Sequence, residues 1–166
     1  MNTTIYGDKS RTRRDRGSVG RSPEYASVRD KEKRPLPGRS SSSERILVVD
    51  DEPNVALFLQ VALECLPGCE VEVATSGEEA LRLSKQQPFD LLITDYRMPG
   101  MNGVELTAAV WELGHQTVIL IITAFADEEL YRATVMNGVH QVVHKPVKRD
   151  EIRALASQAL GRQGNC

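Results

Sequence analysis

No apolar run in this chain comes near the roughly 20 residues that a membrane-spanning helix requires. The first 44 residues also lack the apolar core of a secretory signal, and their six acidic residues argue against a transit peptide. A soluble, cytoplasmic protein is the expectation. Cysteine is scarce as well. Cys65, Cys69 and Cys166 are odd in number and share no ligand spacing with the three histidines, which argues against a disulfide framework or a zinc site. Cys65 is expected at the end of a helix, Cys69 at the start of a strand and Cys166 at the terminus, as idle thiols. His115 falls in a loop, His140 at a strand start and His144 at a strand end, none with a metal-like partner.

Charge of one sign is missing from neither half, but the balance differs. Residues up to Glu44 carry eleven Lys and Arg against six Asp and Glu, whereas the rest carries ten against seventeen. Residues 1–44 have almost no apolar periodicity, a Pro-Leu-Pro-Gly break and a serine run, so they bury too little surface to offset the entropy of ordering. They read as a disordered basic arm. It is either a solvated tail or an attractor for nucleic acid, an anionic surface or an acidic partner.

From Arg45 the pattern changes to short apolar runs alternating with amphipathic ones. RILVVD, CEVEVA, DLLITD, TVILIIT and VHQVVH read as strands, with TVILIIT suited to a central place covered on both faces. Helices follow each. The first has Pro53 in its opening turn, the second is capped by Ser76, and the third is capped by Asn102 and ended by Gly114. Acids open the fourth helix (DEELYRATVM), and KRDEIRALASQAL forms the fifth. Strands separated by helical crossovers pair in parallel, so the predicted architecture is α/β, a three-layer α/β/α sandwich around a five-stranded parallel sheet. Residues 45–160 form this domain and 161–166 a short flexible tail.

Charged or hydroxylic residues end four of the apolar runs: Asp50 and Asp51, Asp95, Thr123, and Lys145. The carboxyl ends of parallel strands converge on one edge, where such folds place ligands. Three carboxylates gathered there repel one another unless a divalent cation joins them, and a hard cation with oxygen ligands, most simply Mg²⁺, meets that need. Lysine and threonine are left to hold an anion.

These residues resemble the receiver domain of two-component response regulators. The resemblance covers about residues 45–160 and rests on five features in order: Asp50-Asp51, Asp95, Met98-Pro99-Gly100-Met101-Asn102-Gly103, Thr123-Ala124 and Lys145-Pro146. It implies a CheY-like, flavodoxin-like strand order 2-1-3-4-5. Asp95 would be the phosphoacceptor, attacking a phosphoryl group held on a histidine of a sensor kinase or phosphotransfer protein. Asp51, supported by Asp50, would hold Mg²⁺ together with Asp95 and the backbone carbonyl of Arg97. Lys145 would pair with Asp95 at rest and with a phosphoryl oxygen afterwards, Thr123 would donate to another oxygen, and Ala124 would keep the entrance open. A cis bond before Pro146 is also implied.

Two departures stand out. Receivers commonly carry an aromatic residue three positions before the lysine, and here it is Val142, which has no ring to swing. Arg97 and Phe125 flank the acceptor with a long cation and a bulky ring, which would restrict attacking water. Only six residues follow Leu160, so readout is expected through contacts with a downstream protein. Three other readings stay open: a phosphate-independent adaptor, favoured by Val142; a phosphatase-type hydrolase, disfavoured by the lack of an inserted cap; and a nucleic-acid binder acting through the arm.

Overall fold

The computed structural model describes residues 43–162; the predicted arm, up to residue 42, and residues 163–166 lie outside the described residues. Five strands alternate with five helices: β1 Glu44–Val49, α1 Pro53–Glu64, β2 Cys69–Ala74, α2 Gly77–Gln86, β3 Leu91–Asp95, α3 Gly103–Glu112, β4 Val118–Thr123, α4 Glu128–Met136, β5 Gln141–His144 and α5 Arg149–Ala159. All strand pairs are parallel, in the order β2-β1-β3-β4-β5. The expected sandwich and strand order are both present. β4 is an interior strand, although the middle place belongs to β3.

Side chains alternate across each strand, and this splits the apolar residues into two cores. Ile46, Val48, Leu91, Ile93, Leu120 and Ile122 face α1 and α5, where they meet Leu59, Leu63, Ile152 and Ala156. Leu47, Val49, Leu92 and Ile119 face the other way, toward Ala80 of α2 and Leu106 and Val110 of α3. Strands buried on both faces need unbroken apolar runs, which is why VILIIT and LLIT show no polar alternation. Burying each such side chain contributes about 1.5–3 kcal/mol before entropy is counted.

Helix ends follow the local chemistry. Pro53 occupies the first turn of α1, where its missing N–H is harmless. The Ser76 hydroxyl accepts the Glu79 N–H, and Asn102 with Glu105 forms a reciprocal capping box. Strand boundaries differ slightly from expectation. β1 begins at Glu44 rather than Arg45, because the Glu44 N–H donates to the Gly68 carbonyl at 2.8 Å and its carboxylate accepts from Arg162 Nε at 2.6 Å. β5 begins at Gln141, later than the apolar run that starts at Val139.

Candidate functional site

The strand ends come together as the parallel register requires. Asp95 lies opposite Ile122 and Thr123 opposite His144, while Asp50 and Lys145 each follow the last residue of their strand. One oxygen from each of Asp50, Asp51 and Asp95 lies within 4.8 Å of the others. Asp50 is buried, with its Oδ1 accepting the Glu52 N–H at 2.9 Å and its Oδ2 accepting from Lys145 Nζ at 2.9 Å. The Asp95 Oδ1 accepts the Tyr96 N–H at 2.8 Å, and its Oδ2 is 3.4 Å from Lys145 Nζ.

Lys145 thus pairs with Asp95, as expected, but sits closer to Asp50. The reason is burial. A carboxylate cut off from water requires a cation more than one at the rim does. Burial pushes the Asp95 carboxyl above its ordinary range, against the pull of Lys145 and the Tyr96 N–H, with Asp50 adding to the rise. Burial alone would lower the Lys145 ammonium, but its hydrogen bond and charge attraction to Asp50, and then to Asp95, outweigh that and raise it. One ammonium faces three carboxylates, leaving two negative charges in excess. That count and the all-oxygen donor set suit a hard divalent cation.

Thr123 is buried at the end of β4, and its hydroxyl is engaged locally. It accepts the Phe125 N–H and donates to the Phe125 carbonyl, both at 3.1 Å. The Thr123 carbonyl accepts the Lys145 N–H at 2.8 Å, tying the ends of β4 and β5 together. The Lys145-Pro146 bond is cis, as the resemblance implied. Arg97 lies in the loop after Asp95, with its guanidinium over the Phe125 ring. Val142 is half-buried on β5. His144 is exposed, 3.4 Å from the Tyr131 hydroxyl, and takes no part in the acidic cluster.

Three residues that sequence reasoning gave no site role also shape the crevice. Glu78, in the first turn of α2, accepts the Met101 N–H at 2.9 Å and so anchors the loop after Asp95. Its carboxyl lies below the ordinary range because its own N–H and that of Met101 bond the charged form. Gly103 lets α3 approach β3, since a Cβ there would run into the Asp95 carbonyl oxygen. Asp127 precedes α4, and its side chain accepts the Leu130 N–H at 2.8 Å. An Asp just before an amphipathic run is a capping signal, so this last contact was open to detection.

Comparison with known proteins agrees with the geometry. Residues 46–157 match the response regulator receiver domain, and the chain belongs to that family. It is 38% identical over 115 residues to an uncharacterized 14.6 kDa protein of Leptolyngbya boryana, covering 68% of this chain and 87% of that one. It is 34% identical over 119 residues to the regulatory protein AtoC of Escherichia coli, covering 72% of this chain and 26% of that protein. A CheY-like receiver domain protein from Methanospirillum hungatei superposes with a TM-score of 0.69 at 28% identity, covering 72% of this chain and 95% of that one. The chain spans only 11–26% of the length of several sensor kinases and regulators that it matches. Receivers of two-component systems bind Mg²⁺ in an acidic pocket, and Asp50, Asp51 and Asp95 form such a cluster here. Among the described residues no helix is long and apolar enough to cross a membrane.

Proposed function

We propose that Asp95 accepts a phosphoryl group from the phosphohistidine of a sensor kinase or phosphotransfer protein, and that the domain thereby acts as a cytoplasmic switch in a phosphorelay. The observation that carries this reading is the single Lys145 ammonium set between Asp50 and Asp95 within a cluster of three carboxylates. A carboxylate oxygen of Asp95 forms the new P–O bond while the donor's P–N bond breaks, and the electron pair leaves with the imidazole, which takes up a proton. Asp50, Asp51, Asp95 and the Arg97 carbonyl would hold Mg²⁺, which would supply positive charge to the transferring group. Lys145 then exchanges Asp95 for a phosphoryl oxygen. The Thr123 hydroxyl gives up its bonds to Phe125 and donates to another oxygen, and the small side chain of Ala124 leaves the rim open.

Residues 45–160 serve as the signalling unit. The chain is a phosphoacceptor rather than an enzyme turning over a free substrate, and its output passes to a further protein. Leu57, Phe58 and Val61 remain exposed on α1, the helix that starts just beyond Asp51. A donor protein must bring its histidine against Asp95, so it covers this neighbourhood. The adaptor alternative rests on Val142 alone, while the complete charged cluster counts against it.

Intact mass after incubation with acetyl phosphate and Mg²⁺ tests the proposal. One added phosphoryl group, lost in Asp95→Ala and in metal-free buffer, is the expected result. A folded parent that gains none would leave the phosphate-independent adaptor as the better reading.

A further inference from the structure

Two residues beyond Asp95, the Arg97 side chain reaches across to the loop after β4. Its guanidinium lies 5.1 Å from the Phe125 ring centroid, and its Nη2 is 3.4 Å from Asp127 Oδ2. Asp127 is engaged at both ends. Its other carboxylate oxygen accepts the Leu130 N–H at 2.8 Å, and its backbone carbonyl accepts the Tyr131 N–H at 3.2 Å, so it caps α4. One carboxylate therefore ties the loop that follows Asp95 to the first turn of α4.

That tie is easily broken at its Arg97 end. The two side chains are 60% and 39% exposed and meet through one long contact, the kind of surface pair that water and salt weaken most. A phosphoryl group on Asp95 would bring more negative charge and several acceptor oxygens within a loop's reach, in the geometry that arginine binds with two nitrogens. Val142 cannot carry a signal by swinging a ring. A competing anion for Arg97 supplies another route to α4.

We propose that Asp127 is a positioning residue for Arg97, holding its guanidinium over Phe125 at rest and losing it to the phosphoryl oxygens once Asp95 is modified. Residues 124–127 and the start of α4 are then released. The inference rests on Asp95 being the phosphoacceptor, and it assigns Arg97 and Asp127 the relay from that site.

Hydrogen exchange of residues 124–130 in the full chain tests it, at rest and after acetyl phosphate with Mg²⁺, for the parent, Asp127→Asn and Asp127→Glu. Asparagine keeps the cap but removes the charge, whereas glutamate keeps the charge. Phosphorylation should speed exchange in the parent by about two- to fivefold, the range an exposed ion pair supplies. Asp127→Asn should already exchange at the faster rate at rest and respond little further, and Asp127→Glu should behave as the parent does. Parent-like exchange of resting Asp127→Asn, or a full response in that variant, would overturn the inference. Mass spectra of the same samples separate the two ideas: an unmodified parent defeats the acceptor reading, while the resting comparison still decides whether Asp127 holds the loop.

Discussion

The two loops that flank the crevice are built differently. Residues 96–102, after β3, are tied on every side: the Tyr96 carbonyl accepts the Gly103 N–H, Glu78 holds Met101, Asn102 caps α3, and Met98 is buried. Residues 124–127, after β4, are held by the Thr123 hydroxyl, the cap on α4 and the exposed reach of Arg97, and Phe125 is 62% exposed. A loop tied by several hydrogen bonds and a buried anchor keeps Asp95 and the neighbouring carboxylates in place. A loop held by a few exposed contacts can change when charge is added. On the proposed reading, the firm side would hold the phosphoacceptor and the soft side would respond to its added charge.

Glycine substitutions should break this contrast most visibly. A Cβ at Gly103 would strike the backbone of Asp95 and Tyr96, which cannot yield, so Gly103→Ala is expected to cost about 3 kcal/mol. Gly138, at φ +68°, would meet the ring of Trp111, which is 57% exposed and free to shift. Gly138→Ala then costs mainly the left-handed conformation, about 1–2 kcal/mol. Urea midpoints of the two variants decide this, and the reverse ranking would mean that the firm loop is not firm.

Next in size is Lys145→Ala. It leaves buried Asp50 without its cation and should destabilise by about 2 kcal/mol in metal-free buffer, less than a fully buried pair because Lys145 retains some exposure. Added Mg²⁺ should recover part of the loss, since a cation that binds only the folded state stabilises it. No recovery, with the fold intact, would argue against the acidic cluster as a metal site.

The four strand ends were legible in the sequence because a parallel sheet brings its carboxyl edges together whatever the spacing between them. Asp50, Asp95, Thr123 and Lys145 could thus be grouped from apolar runs alone, and the resemblance supplied the strand order. The ties that make one loop firm and the other soft were not legible. Glu78 reaches Met101 across 23 positions and Arg97 reaches Asp127 across 30, and no local period links them. Both acids sit near helix starts, where favourable interaction with the helix dipole explains them equally well. Rotamers were hidden too: nothing in ILIIT says that the Thr123 hydroxyl turns to Phe125 at rest, or that Lys145 lies nearer Asp50 than Asp95.

Asp95→Asn should act in the opposite direction. The Asp95 carboxyl is raised mainly by burial, so the folded state holds its proton more readily than the unfolded chain does. Stability from this group is complete below the unfolded-state value and is lost as pH rises through the raised folded-state value. Removing the charge should therefore stabilise the metal-free protein by about 1 kcal/mol at neutral pH. The gain should vanish in acid, where the parent is also neutral at this position. A thermal-melting series across pH checks both parts, and a gain that persisted in acid would point to packing rather than charge.

The smallest effect belongs to the soft side. Arg132 and Glu128 form a 2.6 Å contact along α4, but their side chains are 77% and 81% exposed. Contact length is a poor guide when both partners remain in water, and Arg132→Ala is expected to cost only about 0.3 kcal/mol. Asp127, through both its cap and its contact with Arg97, and the buried Leu130 hold the start of α4 instead. A measured loss above about 1 kcal/mol would exceed what an exposed helix pair supplies. It would mean that surface charge fixes α4 in place, and that freeing Asp127 from Arg97 is not enough to loosen it.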